Sequence, residues 1–145
     1  MPTSRIKIRV ATARDISLVL DLGFEFFKSS PYKDMTPDPI SARRWLIGLI
    51  DSGCVILADE DSFICGTTLQ LPFASETVAA ELAWGSLKKG LQRTRAEKLL
   101  LEAFEYWARN VAKAGYIQIG SFHGEKFFLR RGYQKCETMF MAGLN

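Results

Sequence analysis

The sequence predicts an α/β protein of α+β character, with a mixed, mostly antiparallel central sheet and helices on both faces. Three observations lead to this prediction. Several strand-like runs are joined by short polar turns in the middle of the chain, one long amphipathic helix follows them, and strands alternate with helices in the second half. This combination is typical of a mixed sheet. A length of 145 residues with 48% hydrophobic content further predicts a single domain over residues 1–145.

Residues 5–11 are the first predicted element, a strand. Ile6, Ile8 and Val10 alternate with Lys7 and Arg9, so that one face of the strand is apolar and the other is charged. We therefore expect a half-buried strand at the start of the sheet.

Two helices follow this strand. Thr12 and Asp15 have the spacing of a helix start, and the helix should run to about Lys28. After a loop with several prolines, Asp38 is a predicted N-cap with Pro39 as the first helical residue, and the second helix should stop near residue 53. Their predicted core faces are Ile16, Val19, Leu20, Gly23, Phe24 and Phe27 in the first helix, and Trp45, Leu46, Leu49 and Ile50 in the second.

Three strands that can pair antiparallel come next. Residues 54–58 are an apolar run typical of a buried strand, residues 59–62 a polar turn, and residues 63–73 the hairpin partner. Gly66 marks a bulge or a close approach of another backbone within that partner. A further turn at residues 75–76 precedes a strand in residues 77–84.

The most regular element is a helix predicted from about Thr94 to Ala114. Thr94 and Glu97 form a Thr-x-x-Glu capping box, and Lys113 with Gly115 provides the signals of a helix end. Nine apolar residues recur at helical spacing on one face, which must lie on a core. They are Ala96, Leu99, Leu100, Ala103, Phe104, Trp107, Ala108, Val111 and Ala112.

The chain then continues with a strand in residues 116–122, a short helix in residues 124–132 and a last strand in residues 133–144. Met139, Phe140 and Met141 are consecutive in that last strand. They belong either to the core or to the edge of a homodimer.

Composition narrows the classes of function. Cys54, Cys65 and Cys136 form no CxxC pair and are predicted to be buried free thiols, and the single His123 offers no cluster of metal ligands.

No apolar run approaches the roughly 18 residues of a membrane span, and the start lacks a signal peptide, so a soluble cytoplasmic protein without membrane partners is expected. The net charge of +3 suits a phosphate-bearing ligand and is too small to indicate nucleic acid.

A basic segment precedes the long helix, with Lys88, Lys89, Arg93 and Arg95. The free N–H groups and the positive dipole end at a helix start attract anions, so this segment is a candidate phosphate site. The alternative is that these are solvated loop cations.

Four segments together resemble the GNAT superfamily of acetyl-CoA-dependent N-acyltransferases: IRVATARDI, CVILADEDSFICGTT, LLLEAFEYWARNVAKAGY and EKFFLRRGY. The chain is most similar to small GNAT-like proteins of tailed phages, in which a segment like Ser30-Pro31-Tyr32 follows the first helix and forms the acceptor wall. The resemblance implies acetyl transfer from acetyl-CoA to an amine of a small molecule or protein. For a phage protein it implies a location in the host cytoplasm or the virion.

The resemblance places a CoA-sized cleft beside residues 87–97, where a Gln/Arg-x-x-Gly-x-Gly/Ala loop of the family binds pyrophosphate. Arg95 and Glu97 fill the two glycine positions, which crowds the approach, and Glu97 brings a negative charge that Arg93 and Arg95 offset. The implied cofactor residues are Leu87, Gln92, Arg93, Thr94, Arg95, Ala96 and Glu97.

The resemblance also implies two catalytic candidates. Glu81 matches a strand glutamate that deprotonates the amine through water, and His123 lies near the acyl group and titrates near neutral pH. The alternatives are a solvated Glu81 at a sheet edge and a surface or capping His123. Phe128 occupies the position of the tyrosine that acts as general acid in the family, and its side chain has no proton to donate to the departing thiolate.

Two classes of function stay open. One is the N-acyltransferase, and the other is a catalytically degenerate GNAT-fold phage protein that serves as a virion component or host-defence antagonist by binding a phage or host protein. A nucleic-acid-modifying enzyme on the same fold is disfavoured by the low net charge.

Overall fold

The computed structural model describes residues 5–120 and 124–144. Its strands form one sheet in the order β1–β2–β3–β4–β5. β1 (Ile8–Val10), β2 (Cys54–Ala58), β3 (Ser62–Gln70) and β4 (Thr77–Ser86) pair antiparallel, whereas β5 (Tyr116–Gln118) pairs parallel with β4. The predicted mixed, mostly antiparallel sheet is confirmed.

Helices cover both faces of this sheet, as predicted. α1 (Ile16–Phe27) and α2 (Pro39–Ser52) pack on one face, and α3 (Gly90–Asn110) packs on the other. α4 (Glu125–Arg130) follows β5. None of the helices within the described ranges combines the length and apolar content that a membrane crossing needs.

The strands alternate between the two cores. Val55, Leu57 and Phe63 point to α1 and α2, while Ile56 and Ile64 point to α3. Successive side chains of a strand face opposite sides, so a short apolar run such as residues 54–58 serves both cores.

Local chemistry sets the starts of α1 and α2 as predicted. The Thr12 N–H donates to Asp15 Oδ2 at 2.8 Å, and a single 3-10 turn at Ala13–Asp15 leads into α1. The Ser41 N–H donates to the Asp38 side chain at 3.1 Å, with Pro39 as the first residue of α2.

The predicted bounds of the long helix are wrong. α3 begins at Gly90 and ends at Asn110, and Lys89 is its N-cap, so Thr94 lies inside the helix and no capping box forms there. Good helix formers between Leu91 and Arg93 extend the helix toward β4. Gly90 adopts φ +60°, which turns the chain sharply into the helix.

The buried face of α3 is close to the predicted one. Ala96, Leu100, Phe104 and Ala108 are buried as expected, and Trp107 is half-buried against the Phe104 ring with centroids 5.5 Å apart. Two residues depart from the prediction. Leu101 is fully buried, and Val111 is 65% exposed because it follows the end of the helix.

Three further expectations are corrected. Ile8 and Val10 are exposed, because β1 is an edge strand whose neighbouring helices leave them uncovered. Residues 133–144 form no strand, and β5 is the sheet edge. Cys54 and Cys65 are buried thiols as predicted, but Cys136 is exposed because it lies in this unpaired segment.

Gly66 lies at an irregularity between β3 and β4, as predicted. A Cβ at this position would lie 2.5 Å from the Ala80 carbonyl oxygen and 2.6 Å from the Phe104 ring. Glycine therefore allows α3 to pack directly on the backbone of the sheet.

Candidate active site

The sheet opens between β4 and β5. Within the described residues, Val78, Ala79 and Ala80 are the residues of β4 that pair with β5, although β4 continues to Ser86. In the described part of the chain, β4 beyond Ala80 therefore has β3 on one side and an opening on the other. A register shift against β3 leaves Leu82 without a partner, which bends β4 at this opening.

Glu81 is the first residue of β4 beyond the paired segment. Its Oε1 accepts a hydrogen bond from the Gly120 N–H at 3.1 Å, just after β5. The side chain is half-buried, and burial raises the pKa of Glu81 to about 7, while the Gly120 hydrogen bond acts in the opposite direction. A carboxylate with this pKa can accept a proton near neutral pH.

The start of α3 presents free backbone N–H groups. Lys89 is an extended N-cap that makes no side-chain capping bond, and the first turn contains no acidic residue. The first N–H groups of a helix have no partner within the helix, so those of Gly90, Leu91 and Gln92 are available to an anion. This donor set fits a phosphate group, because the helix dipole also favours negative charge there.

Most of the predicted pyrophosphate loop is helical. Leu87 lies in the three-residue link between β4 and α3, while Gln92, Arg93, Thr94, Arg95, Ala96 and Glu97 lie in the first two turns of α3. Ala96 is fully buried and contacts the core. Arg93 Nε donates to Glu97 Oε1 at 2.7 Å, so the expectation that Glu97 folds back onto an N-cap is wrong.

Lys88 is held by two carboxylates that sequence reasoning did not pair with it. Its Nζ lies 2.7 Å from Asp59 Oδ2 and 3.2 Å from Asp61 Oδ1, both in the turn between β2 and β3. The Leu87 N–H also donates to the Asp61 carbonyl at 2.8 Å. These bonds fix the link to α3 and neutralise one of its cations, which leaves the exposed Lys89 beside the helix start.

Phe128 lies on α4 and packs edge-on against Trp84, with ring centroids 6.0 Å apart, and against Tyr133 at 5.4 Å. The Tyr133 hydroxyl donates to Glu105 Oε2 at 2.8 Å, and burial together with this bond raises the pKa of Tyr133. A tyrosine held in this way is a weaker acid than usual, so Tyr133 does not replace the general-acid tyrosine whose position Phe128 occupies.

Trp84 lies on the part of β4 beyond Ala80, packs against the core on the α3 side, and was not singled out by sequence reasoning. Its indole N–H is buried and has no hydrogen-bond partner within residues 5–120 and 124–144. It lies on β4 three residues beyond Glu81, and a tryptophan on the strand that carries the proposed base was the available signal. An unpaired buried donor fits a polar group of a ligand.

Two predicted parts of the site remain, His123 and the Ser30–Tyr32 segment. His123 lies outside the described residues. The Ser30 hydroxyl donates to the Phe27 carbonyl at 2.8 Å and accepts from the Tyr32 N–H at 3.1 Å, so this segment closes the end of α1.

Comparison with models of protein families gives no match, and comparison with curated proteins gives none either. Solved structures do match. A predicted acetyltransferase from Clostridium acetobutylicum, solved with acetyl-CoA, has a TM-score of 0.77 and 12% identity, over 96% of each chain. A GCN5-related N-acetyltransferase from Ralstonia eutropha has a TM-score of 0.72 and 13% identity, over 95% of this chain and 98% of that one.

A third matching structure is that of a transcriptional regulator, from Bacillus halodurans. Its TM-score is 0.72 and its identity 14%, over 97% of this chain and 100% of that one. Identities this low show a shared fold, and a fold hosts more than one function. The activity must therefore be argued from the site.

Proposed function

We propose that this chain, which has the fold of the GCN5-related N-acetyltransferases, transfers an acetyl group from acetyl-CoA to an amine. The observation that carries the proposal is Glu81, a carboxylate with a pKa of about 7 at the point where β4 and β5 separate. A base in a cleft that titrates near neutral pH is a common feature of catalytic sites.

Acetyl-CoA supplies an activated acyl group, a thioester, at the opening. Glu81 accepts the proton of the attacking amine, directly or through one water, so that the nitrogen lone pair is free to form the new amide bond. In the part of the chain that the structure describes, β4 beyond Ala80 has backbone N–H groups that do not pair with β5, and such donors stabilise a developing oxyanion. Phe128 cannot protonate the departing sulfur, so solvent supplies that proton.

The start of α3 is the proposed pyrophosphate site. The N–H groups of Gly90, Leu91 and Gln92 would hold the phosphates, with the Lys89 ammonium beside them. Arg95 is exposed one turn further along α3 and contributes positive charge at longer range. Arg93 contributes less, because Glu97 pairs with it.

The rival function is a catalytically degenerate protein of the same fold. The observation in its favour is the link of three residues, Leu87 to Lys89, where β4 passes directly into α3 without a glycine-rich loop. A phage origin, with a place in the host cytoplasm or virion, and a phage or host protein partner remain predictions from the Ser30–Tyr32 segment.

Kinetics of Glu81→Gln test the proposed function. With acetyl-CoA and a panel of primary amines, release of the CoA thiol should rise with pH through about 7 in the parent, because Glu81 must be ionised. Glu81→Gln should lower kcat by roughly 100-fold or more and remove that rise. Glu76→Gln is the matched control, since Glu76 is an exposed carboxylate just before the same strand. An unchanged rate and pH profile in Glu81→Gln would exclude Glu81 as the base.

A further inference from the structure

The link between β4 and α3, residues 87–89, is bonded to the turn between β2 and β3 at two successive residues. The Leu87 N–H donates to the Asp61 carbonyl at 2.8 Å. The Lys88 Nζ lies 2.7 Å from Asp59 Oδ2 and 3.2 Å from Asp61 Oδ1. The Lys88 side chain is only 15% exposed, so solvent and salt screen these ion pairs less than they screen a surface pair. The turn therefore holds the link immediately before the helix.

Two buried serines form a second connection between the turn and the link. Ser62 and Ser86 are 0% and 4% exposed, lie opposite each other on β3 and β4, and have hydroxyl oxygens 2.6 Å apart. Ser62 Oγ lies 3.0 Å from Asp61 Oδ1, and the Lys88 N–H donates to Ser86 Oγ at 3.1 Å. Each hydroxyl has one proton, so all these groups are satisfied when Ser86 donates to Ser62 and Ser62 donates to Asp61. This chain of hydrogen bonds holds the Lys88 backbone independently of its ammonium group.

The turn is itself attached to the edge of the sheet. The Asp59 N–H donates to the Lys7 carbonyl at 2.8 Å, and Asp59 Oδ1 accepts from the Lys7 N–H at 3.0 Å. Lys7 immediately precedes β1. The carboxylate that pairs with Lys88 is therefore fixed from two sides and does not simply follow the lysine.

The position of the link decides where the free N–H groups of α3 lie. Because the link is only three residues long, a shift of Lys88 would also shift Gly90 and the first turn of the helix. A binding site is effective when its groups are held to within about 0.5 Å, and the bonds of the link provide such a hold.

The charge of Lys88 acts in the same direction. Without its ammonium group, Asp59 and Asp61 would place two uncompensated carboxylates beside the link, and these would repel a phosphate. Paired with Lys88, they leave the positive end of the helix dipole available to an anion.

We infer that Lys88 and Ser86 are positioning residues of the proposed pyrophosphate site, and that they hold the start of α3, through the turn between β2 and β3, in the orientation that a diphosphate requires. This inference rests on the proposed function. It gives Lys88 a role without phosphate contact, in place of the direct contact that a basic residue before a helix suggests.

Calorimetric titration tests the inference with two ligands, acetyl-CoA and inorganic pyrophosphate, the latter as a competitor of acetyl-CoA. Sodium sulfate at equal ionic strength controls for salt, and each titration is run well below the Tm of the variant. Lys88→Met should weaken both ligands by the same factor, roughly tenfold or more, because the loss is confined to the phosphate site. Lys88→Arg keeps the charge and should restore both affinities to within about threefold of the parent.

Lys28→Met is the matched control for the lost ammonium group. Lys28 pairs with Glu25 at 2.8 Å on α1, on the other face of the sheet from α3. Its affinities for acetyl-CoA and pyrophosphate should equal those of the parent.

Ser86→Ala provides a second variant if Lys88→Met does not fold, and it changes no charge. It removes the acceptor of the Lys88 N–H, so both ligands should bind about threefold to tenfold more weakly. Ser52→Ala is its control, since the Ser52 hydroxyl donates to the Gly48 carbonyl at 2.9 Å at the end of α2. Parent-like affinities in Lys88→Met and Ser86→Ala, or a loss for acetyl-CoA that pyrophosphate does not share, would overturn the inference.

The same titrations separate this inference from the proposed function. A parent that binds acetyl-CoA and acetylates an amine, with unchanged affinities in both variants, contradicts the inference and supports acetyl transfer. A parent that binds acetyl-CoA, with the expected losses in the variants, but acetylates no amine supports the inference and contradicts acetyl transfer. A parent that does not bind acetyl-CoA contradicts both.

Discussion

Glu81 has a shifted pKa because of burial and not because of a neighbouring charge. Among the described residues it forms no ion pair, and its one hydrogen bond comes from the Gly120 N–H. Burial disfavours the ionised carboxylate, so the folded protein holds a proton that the unfolded chain releases at lower pH. Ionisation of Glu81, the candidate base, therefore destabilises the folded protein.

The stability of Glu81→Gln should reveal this cost. The folded pKa of about 7 lies above the ordinary 4.5, so the contribution of Glu81 is fully present below pH 4.5 and is lost as pH rises through 7. Glutamine has no such loss, so the variant should gain about 3 kcal/mol relative to the parent between pH 4.5 and pH 8. Urea unfolding across this range measures the difference, with Glu76→Gln as the control. Parallel stability profiles for the parent and Glu81→Gln would contradict a buried carboxylate.

Sequence reasoning selected Glu81 as a candidate base but did not predict the contacts that shift its pKa. The resemblance selected the residue, whereas its hydrogen bond to Gly120 spans 39 positions. Lys88 shows the same limit, since it was assigned to phosphate binding and instead pairs with Asp59, 29 positions away. Pairings between residues distant in sequence depend on the register of the sheet, which local patterns do not contain.

The helices show which parts of an element a local pattern predicts well. The start of α2 at Asp38 and Pro39 was predictable, because a capping side chain and a proline act on adjacent backbone groups. The start of α3 was not, because Thr94 and Glu97 match a capping box that the helix does not use. The ion pairs of Lys88 with Asp59 and Asp61, in the turn between β2 and β3, fix where α3 begins.

Gly66 tests how closely α3 packs on the sheet. Gly66→Ala should destabilise the protein by about 3 kcal/mol or more, because its Cβ would clash with the Ala80 carbonyl and the Phe104 ring. Gly48→Ala should change stability by about 1 kcal/mol or less, in the stabilising direction, since the site is open and helical. Urea unfolding of both variants is the measurement. A Gly66→Ala protein as stable as the parent would mean that α3 lies farther from β3 and β4.

Over residues 5–118 the molecule follows the predicted architecture, apart from the bounds of α3 and the exposed β1. Alternating and helical periodicities predicted the strands and most of the helix faces that pack on them, since those signals are local. The segment 133–144 departs from it. Its apolar residues are exposed, with Met139 at 79% and Phe140 at 90%, because a strand needs a partner edge as well as a suitable pattern. A homodimer edge at this segment stays a prediction.

The enzyme and the degenerate protein differ in one property of the whole molecule, the binding of acetyl-CoA. Glu81, Trp84, whose indole N–H has no partner within the described residues, and the start of α3 follow one another along the chain, from β4 through the link to the helix. The proposed function requires that one ligand contact all three. The degenerate alternative requires that none does.

Calorimetric titration with acetyl-CoA tests this requirement most directly, and no acceptor is needed. The parent should bind acetyl-CoA with a submillimolar Kd, and saturating ligand should raise its Tm. Lys89→Glu should weaken binding at least tenfold, because it places a carboxylate at the proposed phosphate site. Lys113→Glu makes the same charge change just beyond the other end of α3, about 30 Å away, and should bind within twofold of the parent. No binding heat and no Tm rise at millimolar acetyl-CoA in the parent would contradict the enzyme account.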